Sequence, residues 1–329
     1  MDGWRRRALA LAPAAALLVS LAVVQLPLFA LFPGPARDVF PLIRIEGTQT
    51  SDPNGHLFLT TVSYRYVDVI SAVVGWLDPA VDVVPEDAIL PPGQTEEEYD
   101  RVTRSQMDES KIAASVSVLS RLTDYPDDHG HGALVQDVVE GSAADGRLFP
   151  GDLIVAAQGR EIEDVDALSR AIDATEGRRR LLLRVEAGGE ERRVVARPRV
   201  EDEEEGPILG VVLVESFPFD IVIESGEIGG PSAGLMWAIG LYDLLSDEDL
   251  VAGRRIAGTG AIDLRGTVLP IGGVEEKVRG AERNDATLFL VPRENLQDAR
   301  AVAEDIELVA VGDLAEAVRY LTRSANPAE

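Results

Sequence analysis

Cysteine is absent from the 329-residue chain, so disulfides, thiol nucleophiles and thiolate metal sites are excluded. Lysine occurs only at Lys111 and Lys277, and histidine only at His56, His129 and His131. Basic charge is scarce: 31 Lys and Arg stand against 57 Asp and Glu, a formal net charge of −26. Nucleic-acid binding is therefore disfavoured, because phosphate neutralisation needs a basic face. The acid excess reads as solubilising surface charge. Aromatics make up only 5% of the residues, although apolar content is ordinary for a globular chain at 46%. No Gly-x-x-x-x-Gly-Lys-[Ser/Thr] run exists to cradle a nucleotide, and no His-Glu-x-x-His zinc signature. His129 and His131 lack a surrounding ligand cluster and read as loop residues. No metal or cofactor is expected.

Two stretches carry chemistry. The first is Gly229-Gly230-Pro231-Ser232-Ala233-Gly234, followed by the apolar Leu235-Met236-Trp237-Ala238-Ile239. Pro231 suits a first helical turn, which places Ser232 beside backbone N–H groups without helical partners. The positive end of the helix dipole favours a developing oxyanion there. Gly229 and Gly230 let the backbone approach closely and leave room for a substrate carbonyl, and Gly230 and Ala233 are taken as supporting residues of the site. Ser232 is either a helix-starting serine or a nucleophile, and a nucleophile needs a base. The second stretch is Leu269-Pro270-Ile271-Gly272-Gly273-Val274-Glu275-Glu276-Lys277-Val278. Arginine stays protonated, whereas a lysine desolvated in an apolar pocket can lose its proton. Lys277 flanks the stripe Val274, Val278 and Ala281 of a helix opened by the glycine pair. It is either such a base or a surface lysine paired with a glutamate.

These two stretches, about 45 residues apart, resemble the proteolytic domain of Lon proteases, which uses a serine–lysine pair. The resemblance covers about 206–323. It implies Ser232 as nucleophile, Lys277 as base and Thr259 as the residue that positions the amine. Two departures stand out. Gly229 occupies a place where many Lon enzymes have aspartate, and Glu275 replaces a customary lysine. The family commonly forms hexameric rings, so a homo-hexamer is implied.

The whole chain reads as an α+β multidomain protein. Residues 8–32 are apolar except for Ser20 and Gln25, and follow Arg5-Arg6-Arg7. Such a run spans a bilayer with the arginines on the cytoplasmic side; a cleaved signal peptide is the alternative. Residues 1–37 are therefore assigned as cytoplasmic N-terminus and transmembrane helix. Residues 38–123 form a small β-containing region that ends in helices, with turns and extended chain around Trp76. Residues 124–200 resemble a bacterial PDZ domain, through Gly-Ser-x-Ala, Leu-x-x-Gly-Asp-x-Ile and a following glycine. Such a domain binds peptide C-termini by strand addition, for which Gly132, Ala133 and Leu134 are the candidates. Residues 201–206 form an acidic linker, and 207–325 the proteolytic domain, opened by strands at 208–214 and 221–224.

The layout is similar to membrane-anchored, ATP-independent Lon-like PDZ proteins. It implies a single-pass membrane protein with an extracytoplasmic serine endopeptidase acting on unfolded or flexible polypeptides. Two other readings stand beside it: a non-catalytic PDZ scaffold, and a tail-specific PDZ protease, which shares serine–lysine chemistry but lacks the Lon-type stretches.

Overall fold

The computed structural model describes residues 24–78, 81–200 and 206–325. The chain enters as a strand, Gln25–Pro33, at the centre of an antiparallel sheet between Val62–Asp68 and Asp82–Pro85. Its ladder register shifts between Gln25 and Phe29, around Pro27, which has no N–H to give. The spanning helix expected over 8–32 is therefore corrected across this strand; its earlier part lies outside the described residues. Among the described residues no helix is long and apolar enough to cross a membrane. An apolar run alone does not separate a buried strand from a span.

Asp68 ends the second of these strands and caps helix α1 (Val69–Leu77), accepting from the Ser71 N–H at 2.8 Å. A helix thus replaces the extended chain expected around Trp76. Helix α2 (Glu96–Leu122) starts at Thr95, whose hydroxyl accepts from the Glu98 N–H while the Glu98 carboxylate accepts from the Thr95 N–H. Behind this reciprocal cap the helix runs without a break as one rod of 27 residues. Its later half is buried, with Met107, Ala113, Ala114 and Val118 in the main core.

The middle module is a sheet in the order Glu190–Ala196, Leu181–Ala187, Leu153–Ala157, Ala133–Val138, Val211–Glu215. Helix α3 (Val165–Asp173), capped by Asp164, buries Leu168 and Ile172 against it. Val211–Glu215 was expected to open the proteolytic domain; it pairs instead with Ala133–Val138. Residues 201–205 of the expected linker lie outside the described residues.

The part expected to be proteolytic is built on a five-stranded sheet, ordered Arg37–Asp38, His56–Leu59, Arg255–Gly258, Leu288–Pro292, Glu307–Val311. The last four run parallel and the first antiparallel. Leu288–Pro292 is buried throughout, as befits a strand covered on both faces. Helices α4 (Gly234–Leu245), α5 (Val274–Glu282), α6 (Leu296–Val302) and α7 (Leu314–Ala325) surround it. Helix α4 is apolar almost all round and lies in the core, with Leu235, Met236, Trp237, Ala238 and Ile239 fully buried. The separation into 38–123 and 207–325 is corrected here. Strands from 37–59 belong to the proteolytic sheet, Asp220–Ile223 pairs with Ile43–Glu46, and α2 packs on α4.

Candidate active site

Ser232 sits in a 3-10 turn, Pro231–Ala233, that leads directly into α4. Gly230 precedes it at φ +82°, a conformation that disfavours any side chain, and Ala233 is buried at the turn's end. Two elements pin this turn. From the sheet, the Gly260 N–H and the Thr259 hydroxyl both donate to the Ser232 carbonyl, at 2.8 and 3.0 Å, and the Leu235 N–H donates to the Gly260 carbonyl. From the other side comes α2: the Ser110 hydroxyl donates to the Pro231 carbonyl at 2.9 Å, and the Gly230 N–H donates to the Thr103 carbonyl at 2.7 Å. A Cβ at Gly229 would come within 2.7 Å of Thr103 Oγ1, so α2 occupies the space that a side chain there would need.

Lys277 lies in the first turn of α5, only 4% exposed. Its Nζ is 2.7 Å from Ser232 Oγ and 3.1 Å from Thr259 Oγ1. Thr259 is itself buried, at the end of the central strand, with its N–H on the Leu290 carbonyl. Its hydroxyl proton goes to the Ser232 carbonyl, so its oxygen lone pair is free to accept from the amine. A neutral amine anchored in this way keeps its own lone pair for the Ser232 hydroxyl. Burial pushes the Lys277 ammonium down from 10.5 to about 7, opposed by the Glu276 carboxylate next to it. The positive end of α5 acts in the same direction as burial. Glu276 is 1% exposed; burial first, then a hydrogen bond with Asp82, pushes its carboxyl well above the usual range.

The loop before α5 is locked by Asn295, whose side chain accepts from the Ile271 N–H and donates to the Ile271 carbonyl, both at 2.9 Å. Gly273 follows at φ +65°, where a Cβ would lie 2.7 Å from a Val62 methyl. Beside Pro231 opens a cleft of about 480 Å³ lined by Gln106, Ser110, Ile262, Leu264 and Leu269 among others.

The structure thus brings Ser232, Lys277, Thr259, Gly230 and Ala233 together. Sequence reasoning missed Thr103, Ser110, Asn295 and Glu276. Hydrogen bonds to main-chain carbonyls leave no pattern in one sequence. Glu276 was visible only as part of a charged pair.

The peptide-binding candidates are corrected. The Gly132 N–H donates to the Glu163 carbonyl, so it is not offered to a peptide. Ala133 pairs with both Ile154 and Glu215, and Leu134 with both Leu153 and Val214. That strand is interior and cannot add another. The terminal strand on this side of the sheet is Val211–Glu215. Among the described residues no group of three or more His, Asp or Glu is placed to hold a metal.

Residues 221–321 match the Lon protease (S16) C-terminal proteolytic domain. Among similar curated proteins, a Lon protease from Roseiflexus castenholzii is 43% identical over 91 residues, 26% of this chain and 11% of that protein. One from Campylobacter jejuni is 38% identical over 117 residues, 33% of this chain and 14% of that protein. The chain therefore spans only a small part of the relatives it matches. A solved PDZ domain of an SdrC-like protein from Listeria monocytogenes superposes with a TM-score of 0.24 at 20% identity, over 25% of this chain and 87% of that one.

Proposed function

We propose that the protein is an ATP-independent, membrane-anchored serine endopeptidase whose Ser232 is activated by Lys277. The observation that carries this reading is the buried amine 2.7 Å from the serine hydroxyl and 3.1 Å from the Thr259 hydroxyl. Neutral Lys277 takes the Ser232 proton as Oγ attacks a peptide carbonyl. Backbone N–H groups at the start of α4 hold the oxyanion. The lysine ammonium protonates the leaving amine, and water, deprotonated in turn by Lys277, releases the acyl group.

The middle module is read as a PDZ-type peptide-binding domain that captures polypeptide C-termini, with strand addition moved to the Val211–Glu215 edge. Substrates are unfolded or flexible chains, because no nucleotide-driven unfoldase signature lies in this sequence. Residues N-terminal to Gln25 supply the anchor, which puts the proteolytic part outside the cytoplasm, and subunits assemble as a hexameric ring.

The test is degradation of an unstructured protein by the membrane-reconstituted full chain and its Ser232→Ala form. Cleavage by the parent alone is expected. Equal turnover by both would reject the assignment, and no turnover by either, with peptide binding intact, would favour the scaffold.

A further inference from the structure

Helix α1 is apolar on its outer face. Its residues, Val69-Ile70-Ser71-Ala72-Val73-Val74-Gly75-Trp76-Leu77, include no charge, and those that it buries are its two smallest, Ala72 and Gly75. A Cβ at Gly75 would lie 2.8 Å from a Val83 methyl, so the helix sits close on the strand Asp82–Pro85 through this position. The large side chains point away: Ile70 is 40% exposed, Val73 49%, Val74 59%, Trp76 67% and Leu77 80%. Ile70, Val73, Val74 and Leu77 fall at the i, i+3, i+4, i+7 positions of one face. A helix serving only the domain's own core would bury these side chains and expose the small ones.

The entry point of the chain identifies what covers this face. Gln25 pairs with Asp68, the residue that caps α1. Val24, just before it, is 55% exposed. The apolar run upstream therefore reaches the folded part beside the first turn of α1. Because Gln25–Pro33 is strand, only residues 8–24 remain to cross a bilayer, near the short end of what suffices. Tryptophan favours the boundary between acyl chains and headgroups, where an apolar helix face can lie in the membrane plane.

We propose that the exposed face of α1 lies in the interfacial layer of a lipid bilayer, beside the point where residues 8–24 leave it. The same sheet packs on the lysine helix: a Cβ at Gly280 would be 3.2 Å from the Gly34 carbonyl oxygen, and one at Gly273 would meet Val62. Lipid contact at α1 thus seats the helix that carries Lys277. The inference rests on the anchor proposed above.

The experiment uses the full chain with Trp4→Phe in phosphatidylcholine vesicles, with and without lipids brominated high on the acyl chain. Of the two tryptophans left, Trp237 is fully buried in the main core. Flotation after an alkaline wash reads the anchor separately. Expected is a bromine-dependent loss of emission that vanishes when Trp76→Phe is added. If the vesicles float with the protein but emission is insensitive to bromine, or the loss survives Trp76→Phe, the inference is overturned. That result would assign the face to residues 8–24 or to a second copy of the chain. Failure to float would reject the anchor and this inference with it.

Discussion

The middle module and the core around Ser232 solve opposite problems. The module is drawn mainly from one continuous stretch, 133–196, closed by a single later strand, and its main cluster, with Val135, Ile154, Leu168 and Leu183, is apolar, with Asp152 and Thr175 as its buried polar residues. The core around Ser232 gathers Thr103, Ser110, Ser232, Thr259, Lys277 and Asn295 from four helices and turns and a strand end, and buries the polar Ser110, Thr259, Lys277 and Asn295. One is optimised for folding. The other holds an amine in a place where it would rather not carry its charge, and that preference is the source of its reactivity.

The sharpest way to break this comparison is Lys277→Met. Activity should fall by at least about 10³-fold, as expected when a general base is lost. Stability should rise. The folded-state lysine is lowered to about 7 from 10.5, so between those pH values the unfolded chain binds a proton that the folded chain refuses. Stability of the parent therefore rises with pH across that window, and below it the full penalty applies. At about 1.36 kcal/mol per unit the ceiling is about 5 kcal/mol, and a gain of a few kcal/mol is expected at neutral pH. Melting of parent and variant between pH 6 and 10 checks this. The difference should shrink as pH rises, and a difference that grows would overturn the account.

The module offers the converse test. Leu168 is fully buried beneath the sheet, in a core cluster separate from the one that packs around α4. Leu168→Ala should cost about 2–5 kcal/mol locally. Calorimetry should show the module melting earlier while hydrolysis of a short unstructured peptide persists. Loss of peptide hydrolysis in step with the early transition would mean that the two regions do not fold independently.

The same contrast explains what was legible in the sequence. Contiguous glycine-containing motifs located the middle module, because such signals are local. Ser232, Thr259 and Lys277 were legible through the short stretches around them. The joining of His56–Leu59 to Arg255–Gly258 was not, since parallel pairing across about 200 residues leaves no local mark. The strand Gln25–Pro33 hid inside an apolar run, and the peptide edge was assigned to an interior strand because strand order is invisible in sequence.

A smaller effect separates the two neighbours of the amine. Activity should rise as pH rises through about 7, where Lys277 gives up its proton, and then level off. The Glu276 carboxylate favours the protonated amine. Glu276→Gln keeps the shape and a hydrogen-bonding group for Asp82 but removes that charge. The rising limb of the pH profile should move to lower pH. A move to higher pH would show that Glu276 does not act through charge on the lysine.

The smallest effect tests whether α2 belongs to the catalytic core at all. Ser110→Ala removes the donor to the Pro231 carbonyl and leaves the turn held there only by the Gly230–Thr103 bond. The Ala side chain also relieves nothing, since Gly234 on the facing helix has no Cβ to crowd it. A net loss of about 1 kcal/mol is expected from one hydrogen bond, and about a fivefold fall in turnover if that energy is spent on aiming Ser232. Because the acidity of Lys277 is set by burial at another helix, the pH profile should keep its midpoint while its plateau drops. Unchanged turnover with the stability loss intact would make α2 packing alone, and the comparison would then rest on Thr259 and Asn295 as the partners that hold the site.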